Sequence, residues 1–239
     1  EVILPAMTYA STFYAVINAK LKPVLVDINN NDPLINIKAI EKKINNNTKV
    51  ILPVHLYGSV VDIFQLKEII KKKKIHIIDD CSQAHGALYD NGMSVGGHGI
   101  SDISTFSLYP GKNLGAYGDA GIITTNNKNL YMRIQSIRNI GAIKKFDHKT
   151  IGFNNRMDTI QAAILSHKIK YLRENNLKRQ LISKKYFSKI LNKKIEFINY
   201  SKNSVYHQFV VKVKKRNKFL NFLKLNKIEY GLHYPHTIN

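Results

Sequence analysis

The sequence predicts an α/β fold built on a mainly parallel sheet, and three observations carry that expectation. Short, almost wholly apolar runs recur as far as residue 125, as in strands covered on both faces. Amphipathic segments of helical period separate them, giving strand–helix–strand crossovers of one hand. Polar, glycine-rich stretches follow several of the apolar runs, where open α/β sheets bind ligands beyond the carboxyl ends of their strands.

Taken in order, strands are expected at 2–6, 23–28, 50–56, 75–79, 103–108 and 121–125. Between them, Ile37, Ile40 and Ile44 fall on one helix face behind Asn36 as a cap, and Phe64, Ile69 and Ile70 mark a helix that ends in the lysine run 71–74. Leu130, Ile134 and Ile137 define another behind Asn127. From Met157 the pattern changes. Met157, Ile160, Ile164 and Leu172 mark one long helix running on through polar residues to about Lys189. A strand pair at 195–200 and 205–212 and a helix at 217–225 follow, read as the beginning of a smaller α+β domain entered along a connecting helix.

Composition bounds the function. Of 239 residues, 44% are apolar and 22% charged, enough for a real core, which excludes disorder and collagen-like structure. No window approaches the roughly 18 consecutive apolar residues of a membrane span. One cysteine, Cys81, precludes an internal disulfide and fits a reducing, cytoplasmic compartment. Lysine and arginine outnumber aspartate and glutamate 37 to 16, a net charge of +21 that invites a nucleic-acid reading. The distribution argues against it: the basic pairs are scattered over helix faces and turns, and no zinc knuckle, aromatic RNA-binding signature or basic heptad accompanies them. Abundant Lys, Asn and Ile look like a genome-wide bias. The chain opens at Glu1 directly into an apolar run and closes on Thr237, Ile238 and Asn239 without a finishing element, so it is expected to be an internal fragment of a longer protein.

Three polar constellations follow strands: Thr8 and Tyr9 after the first, "DDCSQAHG" at 79–86, and "SLYPGKNLGAYGDAG" at 107–121. The glycines at 115, 118 and 121 have the wrong spacing for a dinucleotide fingerprint and precede a strand, and no P-loop is present. A lysine in such a loop suits covalent attachment of an aldehyde, because burial lowers its pKa and frees the amine. An aspartate at a strand end suits a pyridine nitrogen, whose proton it retains. Singly, such an aspartate is more often a turn residue and such a lysine merely solvated; the argument needs them together.

Together, "PVHLYG" (53–58), "IIDDCSQAHGA" (77–87), "FSLYPGKNLGAYGDAG" (106–121), "RNIG" (138–141), "IGFNNRMDTIQAAIL" (151–165) and "HYP" (233–235) resemble consecutive motifs of the DegT/DnrJ/EryC1/StrS family of sugar aminotransferases. The resemblance runs over nearly the whole chain. It implies the fold-type-I architecture of enzymes dependent on pyridoxal 5′-phosphate (PLP), with a cofactor-binding α/β domain at 1–170 and, at 171–239, the connecting helix and an incomplete small domain. It makes Lys112 the residue that forms the imine with the cofactor and later shuttles protons, and Asp80 the partner of the pyridine nitrogen. Gln83 would sit by the ring hydroxyl, Tyr9 against the ring, and Ser107 at the phosphate. Asn154 would reach the cofactor phosphate of the neighbouring subunit, which implies a homodimer with shared active sites. His233 and Tyr234 match a substrate-side motif. No metal is implied.

The implied reaction is amino transfer, with glutamate as donor, to a nucleotide-linked keto-sugar, with wording closest to members acting at C3 of a dTDP-linked 3-keto-6-deoxyhexose. Action at C4 or on a UDP-linked sugar is the alternative within the family. Related dehydratases replace the lysine by histidine, which Lys112 opposes; a truncated copy without activity is the other rival. The chain departs from the family at Asp79 (usually Glu), at Cys81 and Ser82 (usually Ala), and at Ala120 (usually Gly). Where many members carry a second histidine after "HYP", it has His236 out of step and Asn239 in register. An upstream Ser-Gly-Thr phosphate loop lies outside it, so that it corresponds to about two-thirds of a member.

Overall fold

Residues 2–5 are all buried, and the apolar run forms β1 (Val2–Pro5), the strand next to one edge of a six-stranded sheet. The computed structural model describes residues 1–97 and 99–238. The other strands are β2 (Pro23–Val26), β3 (Val50–Ile51), β4 (His76–Asp80), β5 (Ile103–Ser107) and β6 (Gly121–Thr124), in the order β2-β1-β3-β4-β5-β6. The first five are parallel and β6 runs antiparallel to β5.

Side chains alternate across the pleat and so build a core on each face. Ile3, Ile51 and Ile77 sit in one row across β1, β3 and β4. They join Ile40 of α2 (Ile37–Lys43) and Ile63, Leu66 and Ile70 of α3 (Ile63–Ile70) in one cluster. Val2 and Leu4 point the other way, to Val16 of α1 (Ala10–Asn18) and to Leu52, Val54, Tyr57 and Ile198. A third cluster belongs to the lysine loop: Leu108, Leu114 and Ala116 pack with Leu165 of α5 (Thr159–Lys168), and Met157 and Leu172 close over them.

The expected caps are in place. Asn36 Oδ1 accepts from the Ala39 amide at 3.0 Å, and Asn127 Oδ1 accepts from Asn129 and Leu130 at 2.9 and 3.1 Å to start α4 (Lys128–Ile137). Asp62 does the same for α3 through Gln65, at 3.0 Å. By contrast α1 has Tyr9 at its capping position, which makes no side-chain cap bond, so no polar start signal marked this helix in the sequence.

The structure corrects several extents. The strand expected at 50–56 pairs only over Val50–Ile51, and the chain then bridges to Asp80 through Val54. A hairpin of β7 (Ala142–Lys144) and β8 (Asp147–His148) was not foreseen. The single helix expected from Met157 to Lys189 is two, α5 and α6 (Leu172–Lys189), joined by a tighter turn at Ile169–Tyr171. That turn separates different tasks: α5 presents Leu165 to the lysine loop, whereas α6 buries Asn176 and Ser183. The later strands shrink to β9 (Ile195–Phe197) and β10 (Val211–Val213), followed by α7 (Arg216–Leu225). The chain between β9 and β10 leaves the ladder because it packs on the sheet instead: the Val205 amide donates to the Gly58 carbonyl at 3.1 Å. Gly58 has φ +90°, and a Cβ there would stand 2.9 Å from the His207 nitrogen, so only glycine admits this approach.

Leu66 is fully buried between helix and sheet. Its replacement by alanine is expected to cost about 2–5 kcal/mol by leaving a cavity, measurable as a lower urea midpoint at unchanged slope.

Candidate active site

Asp80 is the last residue of β4, and its carboxylate is fixed at both oxygens. Thr12 Oγ1 donates to Oδ2 at 2.8 Å and the Ser82 amide donates to Oδ1 at 3.0 Å. Thr12 comes from α1, and its hydroxyl also meets that of Thr8 at 3.1 Å. The adjacent Asp79 turns the other way, into the core, where Ser101 Oγ donates to it at 2.6 Å and His55 Nε2 stands 3.8 Å off. Val61 donates its amide to His55 Nδ1 at 3.0 Å, so in the neutral ring Nε2 carries the hydrogen and faces Asp79 as a donor. Cys81 completes this buried trio of His55, Asp79 and Cys81, but the proton on Nε2 makes it poor metal chemistry. Burial, with the charges of Asp79 and Asp80, pushes the Cys81 thiol well up.

The second wall is the loop after β5. Leu108 anchors it in the core, donating its amide to Ala120 and accepting from Ala116, both at 2.8 Å. Between those points the chain folds so tightly that a Cβ on Gly115 would strike the carbonyl of Pro110. Lys112 is carried at the tip of this fold, half-buried. Burial lowers the pKa of its amine, and the charge of Asp80 opposes that shift. The lysine and the aspartate therefore feel each other's charge across one space.

That space is a cavity of about 770 Å³, lined by Tyr9, Asp80, Gln83, Ser107, Lys112, His233 and Tyr234. Seven of the eight residues singled out in the sequence meet there. Gln83 is held by the Tyr57 amide, which donates to Oε1 at 2.6 Å, and its Nε2 donates to the Tyr234 hydroxyl at 3.1 Å, leaving one amide hydrogen. The Tyr57 hydroxyl donates to the carbonyl of His233, tying down the segment that carries His233 and Tyr234. Tyr9 presents a bare aromatic face, its ring centre 6.1 Å from that of Tyr234. Asn154 lies elsewhere, exposed and bridged to Asn139, and does not line this chain's cavity. Asn239 lies outside the described residues.

Thr12, which fixes Asp80, and His207, which lines the cavity, were not anticipated from the sequence. Neither sits in a motif, and only the tertiary fold brings them in. Burial, helped by the positive charges of Lys112 and Arg179, pushes His207 down to about 3; burial likewise pushes His85 down to about 4. The donor set fits a planar pyridine aldehyde that carries a hydroxyl and a phosphate. An amine of lowered pKa would meet the aldehyde, a carboxylate the ring nitrogen, an amide the hydroxyl, a hydroxyl the phosphate and an aromatic face the ring.

Two histidines held neutral have a consequence for stability. In the unfolded chain they protonate near 6.5, but in the fold only near 4 and 3. The unfolded state then binds more protons between those values, so stability is full above about pH 6.5 and falls as the pH is lowered through that window. The urea midpoint is expected to be lower at pH 5 than at pH 7, and His85→Leu to lessen the difference; an equal drop in both proteins would refute the assignment.

Comparison with known proteins gives the same picture. The model of the DegT/DnrJ/EryC1/StrS aminotransferase family matches residues 1–239. A dTDP-3-amino-3,6-dideoxy-alpha-D-galactopyranose transaminase of Aneurinibacillus thermoaerophilus is 44% identical over 241 aligned positions, covering 98% of this chain and 64% of that relative. The crystal structure of Streptomyces venezuelae DesV in complex with a ketimine intermediate superposes with a TM-score of 0.94 at 34% identity, over 99% of this chain and 64% of that one. Bacillus subtilis NtdA with bound cofactor PMP superposes with a TM-score of 0.87 at 33% identity, over 99% and 55%. The chain thus spans less than two-thirds of the length of these relatives. With its motifs in order, its sheet superposable and its lysine and aspartate in one cavity, the chain belongs to the DegT/DnrJ/EryC1/StrS aminotransferase family.

Proposed function

We propose that this chain carries the catalytic residues of a PLP-dependent aminotransferase that moves an amino group from glutamate to the keto carbon of a nucleotide-linked sugar. The observation that carries this reading is the meeting of the Lys112 amine and the Asp80 carboxylate in one cavity. The 44% identity to a transaminase named for a dTDP-3-amino-3,6-dideoxyhexose supports C3 of a dTDP-linked 3-keto-6-deoxyhexose as the acceptor.

Bound here, pyridoxal phosphate supplies an electron sink for the carbon that loses or gains the amino group. Asp80, held by Thr12 and Ser82, keeps the proton on a pyridine nitrogen without having to reorganise. Lys112 Nζ anchors the aldehyde, and its lowered pKa supplies free amine for that and for taking and returning a proton at carbon. Gln83 offers its remaining amide hydrogen to the ring hydroxyl, Ser107 its hydroxyl to the phosphate and Tyr9 its face to the ring. His233 and Tyr234, tied to Tyr57 and Gln83, form the side where the sugar enters.

Asn154 is assigned to the cavity of a second copy, giving a homodimer with shared sites. Exposed Phe146, Ile151, Phe153 and Ile160 surround it in sequence, apolar surface of the kind a partner covers. Residues 1–170 then form the cofactor domain and 171–239 the connecting helix and the start of the small domain. Among the described residues no helix is long and apolar enough to cross a membrane. Together with the free, buried Cys81 this supports work in the cytoplasm.

Borohydride reduction after mixing with pyridoxal phosphate is expected to leave a pyridoxyl mass on the peptide containing Lys112, and none there in Lys112→Ala. Asp80→Asn is expected to keep the label yet lose transfer by about 10²-fold or more; transfer at the unmutated rate would overturn the role of Asp80. Mixing inactive Lys112→Ala with Asn154→Ala is expected to restore activity, because a mixed dimer holds one intact site. No gain on mixing would place Asn154 outside a shared site.

A further inference from the structure

Asn113 follows Lys112 in the chain, and its side chain is wholly engaged. Its Nδ2 donates to Asn176 Oδ1 at 2.9 Å and to the carbonyl of Val205 at 3.1 Å. Asn176, buried on α6, in turn donates its Nδ2 to the carbonyl of His85 at 2.8 Å. Both amides are thus oriented by backbone carbonyls, which only accept. The atom of Asn113 that faces His207 Nδ1, at 3.1 Å, is therefore an acceptor oxygen, and Nδ1 carries the hydrogen. In the neutral ring Nε2 is then left with a lone pair, on a residue that lines the cavity beside Lys112. The His207 backbone is held as firmly: Arg179 reaches the carbonyls of Tyr206 and His207, and Gly58 lets the segment lie against it.

We propose that His207 is a positioning residue for Lys112: its neutral Nε2 accepts a hydrogen bond from the Lys112 amine and directs that amine into the cavity, while the Asn113–Asn176 relay fixes the tautomer. This deepens the functional reading above and rests on it only for the purpose of the amine. The groups that act on His207 are Lys112, Arg179, His85 and His233, all basic, and the cavity also holds Asp80 and Asp119. The basic neighbours and burial keep the ring neutral, so its Nε2 remains an acceptor well below the usual histidine range. The relay ties three segments to the lysine at once: the turn after β4, the helix α6 and the stretch before β10.

Two cofactor-free measurements test this. ¹⁵N-edited NMR of the histidine rings is expected to show His207 unprotonated from pH 8 to pH 5 with hydrogen on Nδ1, and to lose that pattern in Asn113→Ala. Trace acetylation with acetic anhydride across pH, with each lysine peptide quantified by mass spectrometry, reads the amine itself. His207→Asn keeps a donor near Nδ1 but has nothing at Nε2. It is expected to slow Lys112 acetylation about three- to tenfold at the high-pH limit and to lower its midpoint, with surface lysines unchanged and partial recovery in His207→Gln. Hydrogen on Nε2 in the unmutated protein, or an unmutated Lys112 profile in His207→Asn, overturns the proposal. Failure of pyridoxal phosphate to label Lys112 would instead overturn the cofactor reading and leave both of these measurements decisive.

Discussion

The site depends on one electrostatic arrangement: an amine and a carboxylate kept in the same partly dry cavity without collapsing onto each other. Burial favours the uncharged amine of Lys112, and the charge of Asp80 works against that preference. The carboxylate is held in place and the loop that carries the amine is fixed. Thr12 and Ser82 hold both oxygens of Asp80, and the tight fold around Gly115 sets where Lys112 emerges. Both line the one cavity in which a small ring with an aldehyde at one position and a basic nitrogen at another would sit.

The sheet brings residues of the site to one edge. Asp80 ends β4, and Ser107 ends β5, its parallel neighbour, so both reach the same carboxyl edge of the sheet. The core beneath is apolar on both faces, while the polar side of β4 is divided by the pleat. Asp80 faces the cavity, and Asp79 is sealed below with Ser101 and His55. The departure at Asp79 from the glutamate usual in the family therefore stays in the core. The surrounding histidines follow the same logic: His85, buried outside the cavity lining, and His207, which lines the cavity, are both held neutral by burial, so His207 gives the cavity hydrogen-bonding atoms without adding charge. The chain's +21 resides largely on the surface, as in the exposed lysine run 71–74.

Asn154 and its exposed apolar neighbours lie away from the cavity of their own chain. That placement is what the proposed shared site of a homodimer requires of Asn154.

Alternation of apolar runs and helical segments was enough to place all six sheet strands and the capped helices, because those elements are stabilised by burial patterns and local caps written residue by residue, as at Asn36, Asp62 and Asn127. The consecutive motifs also brought Lys112, Asp80 and Gln83 to attention, since each sits in a polar stretch at or just beyond the end of a strand. What only the tertiary structure decided is everything that depends on distant segments meeting: Thr12 under Asp80, the break between α5 and α6, and His207 arriving over Gly58 beside Lys112. A histidine in an ordinary stretch such as 205–212 carries no local signal. Its tautomer and its neutrality come from Asn113, Asn176 and burial, and these exist only once the chain has folded.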